Sequence, residues 1–131
     1  QDAWHRALWN AGGGALERLR ALTQAQLHTV ATTPALPAIL FSRTLHRDNA
    51  ELREGVRDVA ARFHAHLEQI VIEGQRGAEL RADVDASEAA WLLISAIQGT
   101  AIRWTLSEYS LDLEGEGRRV LEIALAGLAS P

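Results

Sequence analysis

The stretch Ala89–Ile102 (AAWLLISAIQGTAI) decides the fold, because it is apolar almost all the way round a helix. Its 14 residues are too few to cross a membrane, which takes about 20. A helix of this kind must be covered on more than one side by other protein. Asp85 and Glu88 precede it with the spacing of a capping box. The sequence therefore predicts a buried helix from Asp85 to about Tyr109.

Helical periodicity continues on both sides of this stretch. Upstream, a capping box at Asp48 and Glu51 predicts the start of a helix, and Gly74 and Gly77 predict its end. The apolar positions of that helix recur every three or four residues: Leu52, Val56, Val59, Phe63, Leu67 and Ile70. Downstream, a last helix is predicted from about Asp112 to Ala129.

The first third of the chain is also helical in pattern. Trp4 and Leu8 lie on one side of a helix over residues 2–11, which Gly12–Gly14 should stop. A second helix is predicted over 15–31. The pair Thr33-Pro34 is typical of a helix start, so a short helix should follow to about Leu45. The fold class is all-α, a bundle of about six helices.

Composition excludes several classes of protein. The 131 residues suit one domain, and there is no Cys to form disulfides or a thiolate metal site. The net charge of −4 argues against a free-standing nucleic-acid-binding protein. With no signal peptide and no membrane span, the sequence predicts a soluble, cytoplasmic protein. Because no Met stands at Gln1, we expect a fragment of a longer chain.

Neither catalysis nor metal binding is indicated. The sequence lacks G-x-S-x-G, H-E-x-x-H and a phosphate-binding loop with Lys. His64 and His66 are two residues apart, so they point to different sides of a helix. We predict no enzyme activity, no catalytic residues and no cofactor; a metal site could form only by pairing across helices.

The two C-terminal helices carry more apolar surface than a bundle of this size needs for its own core. Small residues lie among the apolar ones and would let a second helix pair approach closely. We expect a homodimer with a four-helix interface; the alternative is that Ala89–Ile102 is simply the central helix of a monomer. The expected interface residues are Ser95, Gly99, Ile102, Arg103, Val120, Leu121, Ala124 and Leu128.

An ordered series of stretches resembles the TetR/AcrR family of bacterial transcriptional regulators. These are PALPAILFS (34–42), LHRDN (45–49), GAELRADVD (77–85) with SEAAW (87–91), AIQGTAIRWTL (96–106) and LEGEGRRVL (113–121). The resemblance implies a nine-helix homodimer, with a helix-turn-helix domain in its first three helices. The remaining helices bind a small effector and dimerise through the last two.

By this resemblance the chain corresponds to helices four to nine, without the helix-turn-helix. Residues 1–14 would be the end of a connecting helix and a Gly-rich turn, and residues 15–131 the effector-binding and dimerisation domain. Operator DNA would be contacted only through the missing N-terminal domain. Gly12–Gly14 would be a hinge for the connecting helix or an ordinary surface turn. An effector would release a repressor from DNA by favouring the arrangement that does not bind.

The effector is expected to be small and hydrophobic or aromatic. Its pocket should be mostly apolar with a few polar groups. Gln98 needs a partner because it is polar within an apolar helix, and that partner is either the effector or the second protomer. The aromatic candidates have core packing as their alternative role. The whole set is Trp9, Gln26, Phe41, Phe63, Trp91, Gln98 and Trp104. The alternative function is a helical protein–protein interaction module that binds no ligand.

Overall fold

Five helices make up the parts of the chain that the computed structural model describes, residues 2–11, 13–33, 42 and 47–131. The predicted all-α class is confirmed for these ranges. The short helix predicted from Pro34 to about Leu45 lies outside them. The five helices are α1 (Asp2–Ala11), α2 (Ala15–Ala31), α3 (Ala50–Arg76), α4 (Ala86–Leu106) and α5 (Leu113–Leu128).

Side-chain caps define the starts of the later helices. Asp85 caps α4 by accepting a hydrogen bond from the backbone N–H of Glu88 at 3.0 Å, as the capping-box spacing predicted. The predicted cap of α3 was wrong by one residue. Asn49, rather than Asp48, accepts from the backbone N–H of Leu52 at 2.9 Å. Asn and Asp cap helices about equally well, so two adjacent candidates cannot be ranked by type alone.

Two predicted helix ends also needed correction. The helix α4 stops at Leu106, because Glu108 and Tyr109 adopt left-handed backbone conformations with φ of 55° and 67°. Of the two glycines predicted to end α3, Gly77 is confirmed as its C-cap residue, whereas Gly74 lies inside the helix, which continues to Arg76. A Cβ on Gly74 would lie 2.6 Å from Leu80 Cδ1, so this glycine serves close packing instead.

The helix α2 lies at the centre of the bundle, where it packs against all four other helices. The glycine-rich break in front of it is confirmed, since α1 ends at Ala11, α2 begins at Ala15 and Gly13 has a φ of +72°. Among the described helices, none has the length and apolarity needed to cross a membrane. The core gathers around α2 and includes Leu19, Leu22, Leu27, Leu67, Val71, Leu93, Leu121 and Leu125.

The helix α4 divides its nearly continuous apolar surface between two sides. Ala90, Leu93 and Ile97 belong to the buried side, whereas Leu92 and Ile102 are exposed on the other. The helix α5 returns antiparallel to α4. Near the connecting loop, Arg103 of α4 contacts Glu116 of α5, and at the far end Arg81, just before α4, bonds to Leu128.

Candidate functional site

One candidate surface is the exposed side of the α4–α5 hairpin. Exposed fractions are 44% for Trp91, 48% for Leu92, 42% for Ile102 and 75% for Ile123, which is high for large apolar side chains. Between them lie exposed or half-buried small and polar residues. We call this surface the α4–α5 face: Trp91, Leu92, Ser95, Gln98, Gly99, Ile102, Arg103, Val120, Ile123, Ala124 and Gly127.

Six of the eight predicted interface residues lie on the α4–α5 face, and two do not. Leu121 and Leu128 are buried in the core, with exposed fractions of 2% and 4%. They share the inward side of α5 with Leu113, Gly117 and Leu125. The prediction assigned the apolar stripe of α5 to a partner, whereas part of it faces α2. Trp91, Leu92 and Ile123, which the interface prediction left out, take the outward positions.

The predicted effector-pocket residues separate into two groups. Gln26 and Phe63 lie together, half-buried and buried, beneath α1. Trp91 and Gln98 are exposed on the α4–α5 face, so they do not line a common pocket with Phe63 within the protomer. Trp104 is buried in the core and packs edge-on against Tyr109 at 4.8 Å between ring centroids. The Trp9 side chain and Phe41 lie outside the described residues.

Trp4 of α1 joins the first group, and sequence reasoning assigned it no site role. Its ring is 5.0 Å from that of Phe63 and 5.8 Å from that of His66, both on α3. Its indole N–H donates to Gln26 Oε1 of α2 at 2.9 Å. One side chain of α1 thus contacts two other helices. No local sequence pattern indicates a hydrogen bond between residues 22 positions apart.

The partly exposed ring of Trp91 also contacts α3. Its ring lies 4.4 Å from the ring of His64 on α3. His64 Nε2 is also 3.1 Å from the backbone oxygen of Ser87, near the start of α4. These contacts hold one edge of the α4–α5 face against α3.

A small cavity of about 200 Å³ with several charged lining residues lies beside Gly14, at the start of α2. It is lined by Gly14, Ala15, Arg18, Glu73, Gly74, Gly77 and Glu79. Gly14 stands at the N-cap of α2 and has no side chain to cap it. Glu79 replaces that cap from the loop after α3, accepting from the N–H of Ala15 at 2.6 Å and of Leu16 at 3.2 Å. The carboxylate is also favourable at the positive end of the helix.

The Glu79 cap gives a stability prediction. Replacing Glu79 with alanine should lower the free energy of unfolding by about 1–2 kcal/mol, because two backbone N–H groups at the start of α2 lose their partner. Urea denaturation followed by circular dichroism measures the change. Glu79→Gln keeps an acceptor and removes the charge, so it should lose less. Equal stability of Glu79→Ala and the unaltered chain would contradict this role.

Exposed ion pairs also lie between and along the helices. Arg20 of α2 donates to both carboxylate oxygens of Glu122 on α5, at 2.5 and 3.2 Å, and this lowers the pKa of Glu122. Hydrogen bonds from Arg119 and from Arg103 lower the pKa of Glu116. These carboxylates are therefore charged at neutral pH. In the ranges that the structure describes, no group of three or more His, Asp and Glu residues could hold a metal ion.

Comparison with known proteins identifies the family to which this chain belongs. The family model for BetI-type transcriptional repressors, C-terminal, matches residues 15–130, from the first residue of α2 to the end of the bundle. The chain belongs to this family. It is a BetI-type C-terminal domain of a TetR-type transcriptional regulator, as the resemblance in the sequence implied.

One curated protein that is similar to this BetI-type domain is itself a regulator. It is 25% identical over 91 residues to the fatty acid metabolism regulator protein of Bacillus subtilis (strain 168), covering 70% of this chain and 47% of that protein. The chain thus spans about half the length of that curated relative.

Solved structures share the fold of the BetI-type domain. A fatty acid degradation regulator from Bacillus halodurans has a TM-score of 0.79 at 19% identity, over 99% of this chain and 66% of that one. A ketosteroid transcriptional regulator of Mycobacterium tuberculosis has a TM-score of 0.74 at 18% identity, with the same coverage. Identities this low show only that the folds are alike.

Proposed function

We propose that this domain senses a lipid-like effector and pairs with a second copy of itself. It would thereby control how a separate helix-turn-helix domain of a cytoplasmic repressor holds operator DNA. The observation that carries this proposal is the α4–α5 face. Large apolar side chains exposed on one continuous surface are typical of a protein interface.

A homodimer explains that face better than a monomer does. The outward positions of α4 include Leu92, Ser95, Gly99 and Ile102, spaced three or four residues apart, as in a helix-packing seam. Among the residues that the structure describes, none lies within 4 Å of where a Cβ on Gly99 would be, which permits close approach of another helix. A two-fold axis would bring two such hairpins together as a four-helix interface, and the same patch would serve both protomers.

Two domains paired in this way would fix the spacing of two DNA-binding domains. Operator half-sites lie about one helical turn apart, so a small change of spacing alters DNA affinity. An effector that binds more tightly to the arrangement unsuited to DNA shifts the population towards it. The effector acts as a release signal in this scheme.

The relatives support a lipid as the effector. Their names concern fatty acids in two cases and ketosteroids in the third, and both are mostly apolar molecules. Phe63 and Trp4 are buried apolar rings beside one polar group, Gln26, and this composition suits such ligands. No residue of this domain is proposed to act in catalysis.

Ligand-dependent melting tests the proposed effector class. Oleic acid, oleoyl-coenzyme A and androst-4-ene-3,17-dione would each be added to the dimeric protein, with acetyl-coenzyme A as the control for the coenzyme moiety. A matching lipid at one hundred times its Kd should stabilise the fold by about 2.7 kcal/mol, a shift of several degrees in Tm. No shift with any lipid, or an equal shift with acetyl-coenzyme A, would contradict lipid sensing.

A further inference from the structure

We propose that Trp4 is the residue that couples the connecting helix α1 to the effector-binding helices, and that Gln26 and Phe63 are the groups that hold it. This inference rests on the proposed function, because it names how occupancy of that site would reach the DNA-binding domain. The group of Trp4, Gln26 and Phe63 is called the Trp4 contact below. Trp4 acts as a positioning residue in this scheme.

Burial singles out Trp4 on α1. Of the α1 side chains that the structure describes, those of residues 3–7, Trp4 alone is buried, at 4% exposed. His5 and Arg6 beside it are exposed. A tryptophan ring buries a large apolar area, so this contact accounts for much of what holds the described part of α1 on the bundle.

The polar end of the ring fixes its orientation. A buried indole N–H needs an acceptor, and Gln26 Oε1 supplies one at 2.9 Å. The ring of Phe63 packs against the ring of Trp4, with 5.0 Å between the ring centroids and 38° between the ring planes. Rotating or withdrawing α1 would break the hydrogen bond and the ring contact together.

The C-terminal end of α1 leads into a glycine-rich turn, which would allow α1 to rotate or withdraw. Gly12–Gly14 separate it from α2, and Gly13 adopts a φ of +72° that other residues rarely take. On the far side of this turn, Glu79 caps α2 at its first residues. The turn and the Trp4 contact are thus two of the points at which α1 is attached, beside a contact between the rings of His5 and His66 at 6.0 Å between centroids.

Phe63 belongs to both the Trp4 contact and the proposed effector site. An apolar ligand that packs on Phe63 competes with the Trp4 ring for the same surface. Binding would therefore release α1, which then pivots at the glycine turn and changes the spacing of the DNA-binding domains. The ligand needs no direct contact with α1, only exclusion of one side chain.

Hydrogen exchange on this chain tests the contact. Trp4→Phe keeps an aromatic ring but loses the donor, and Gln26→Leu loses the acceptor. Each should speed exchange of the α1 amides about threefold to tenfold, the range that one hydrogen bond supplies. Because both changes remove the same bond, the double variant should exchange no faster than the singles. Gln24→Leu, on the opposite side of α2, is the control and should leave α1 unchanged.

Additive effects of the two changes, or exchange unchanged in both, would overturn the Trp4 contact. The coupling itself is tested in the full-length regulator, with an operator fragment selected from random DNA by the unaltered protein. Trp4→Phe should change operator affinity at least threefold without ligand, whereas a merely structural role would leave it unaltered. Neither measurement uses a ligand, so failure of lipid binding is distinguished from failure of the coupling.

Oleoyl-coenzyme A then links the two proposals. In the unaltered chain, it should speed exchange of the α1 amides as the variants do, and in Trp4→Phe it should add less. Lipid binding that stabilises the fold but leaves α1 exchange unchanged would overturn the competition at Phe63.

Discussion

An Ile102→Asp variant should be monomeric at concentrations where the unaltered chain is a dimer. Ile102 lies in the α4–α5 face and is 42% exposed in the protomer. A carboxylate there is solvated in the monomer, so the fold of the single chain should survive. In a two-fold dimer the change occurs twice, and two carboxylates are buried without partners. We expect the dimer Kd to rise at least 100-fold.

Sedimentation equilibrium between about 1 and 50 µM measures this change. Val59→Asp on α3 is the matched control, since Val59 is also β-branched and is 43% exposed. It lies on another helix, outside the α4–α5 face, and should leave the dimer intact. A monomeric unaltered chain at 50 µM would contradict the homodimer. The α4–α5 face would then belong to a different protein, as in an interaction module.

The α4 helix could be predicted from the sequence because its signals are local. Asp85 and Glu88 mark its start three residues apart, and the apolar run after them has no other stable conformation in water. The same locality explains the correct break at Gly12–Gly14. The need for cover on both sides of α4 was also predictable from the apolar run alone.

The division of apolar residues between the core and the surface could not be predicted. Leu121 and Ala124 are three positions apart on α5 and both suit either environment, yet one is buried and the other half-buried. The difference arises from which side of α5 packs against α2, and the periodicity of the sequence does not show this. The position of Gln98 could not be predicted for the same reason. Its helix is apolar almost all round, so the sequence does not show that this residue faces outward.

Contacts between residues that are far apart in the sequence could not be predicted either. Gly77 is the C-cap residue of α3, as predicted, but Gly74 was also predicted to end the helix, since glycine often does so. The structure instead uses it where Leu80 and Ala15 converge on the helix. Only the three-dimensional approach of these segments distinguishes a glycine that ends a helix from one that makes room for neighbours.

That packing role gives the second large effect, the loss of stability in Gly74→Ala. The added Cβ would lie 2.6 Å from Leu80 Cδ1 and 2.7 Å from the Cβ of Ala15, far inside van der Waals contact. Leu80 is itself buried and leads into the loop that bonds to Leu128 through Arg81, so it has little freedom to move. Overpacking of this kind typically lowers the free energy of unfolding by about 1–3 kcal/mol.

The same substitution at Gly55, on the same helix, should have the opposite sign. A Cβ at Gly55 meets none of the described residues within 4 Å, so alanine brings only its higher helix propensity, which stabilises by about 0.5–1 kcal/mol. Urea denaturation of both variants at one protein concentration gives the comparison, because a dimer's stability depends on concentration. Stabilisation by Gly74→Ala would mean that Leu80 relaxes freely and that the glycine is not needed for packing. Destabilisation at both positions would instead assign the effect to the backbone of α3, since the two sites share a helix and differ in what surrounds them.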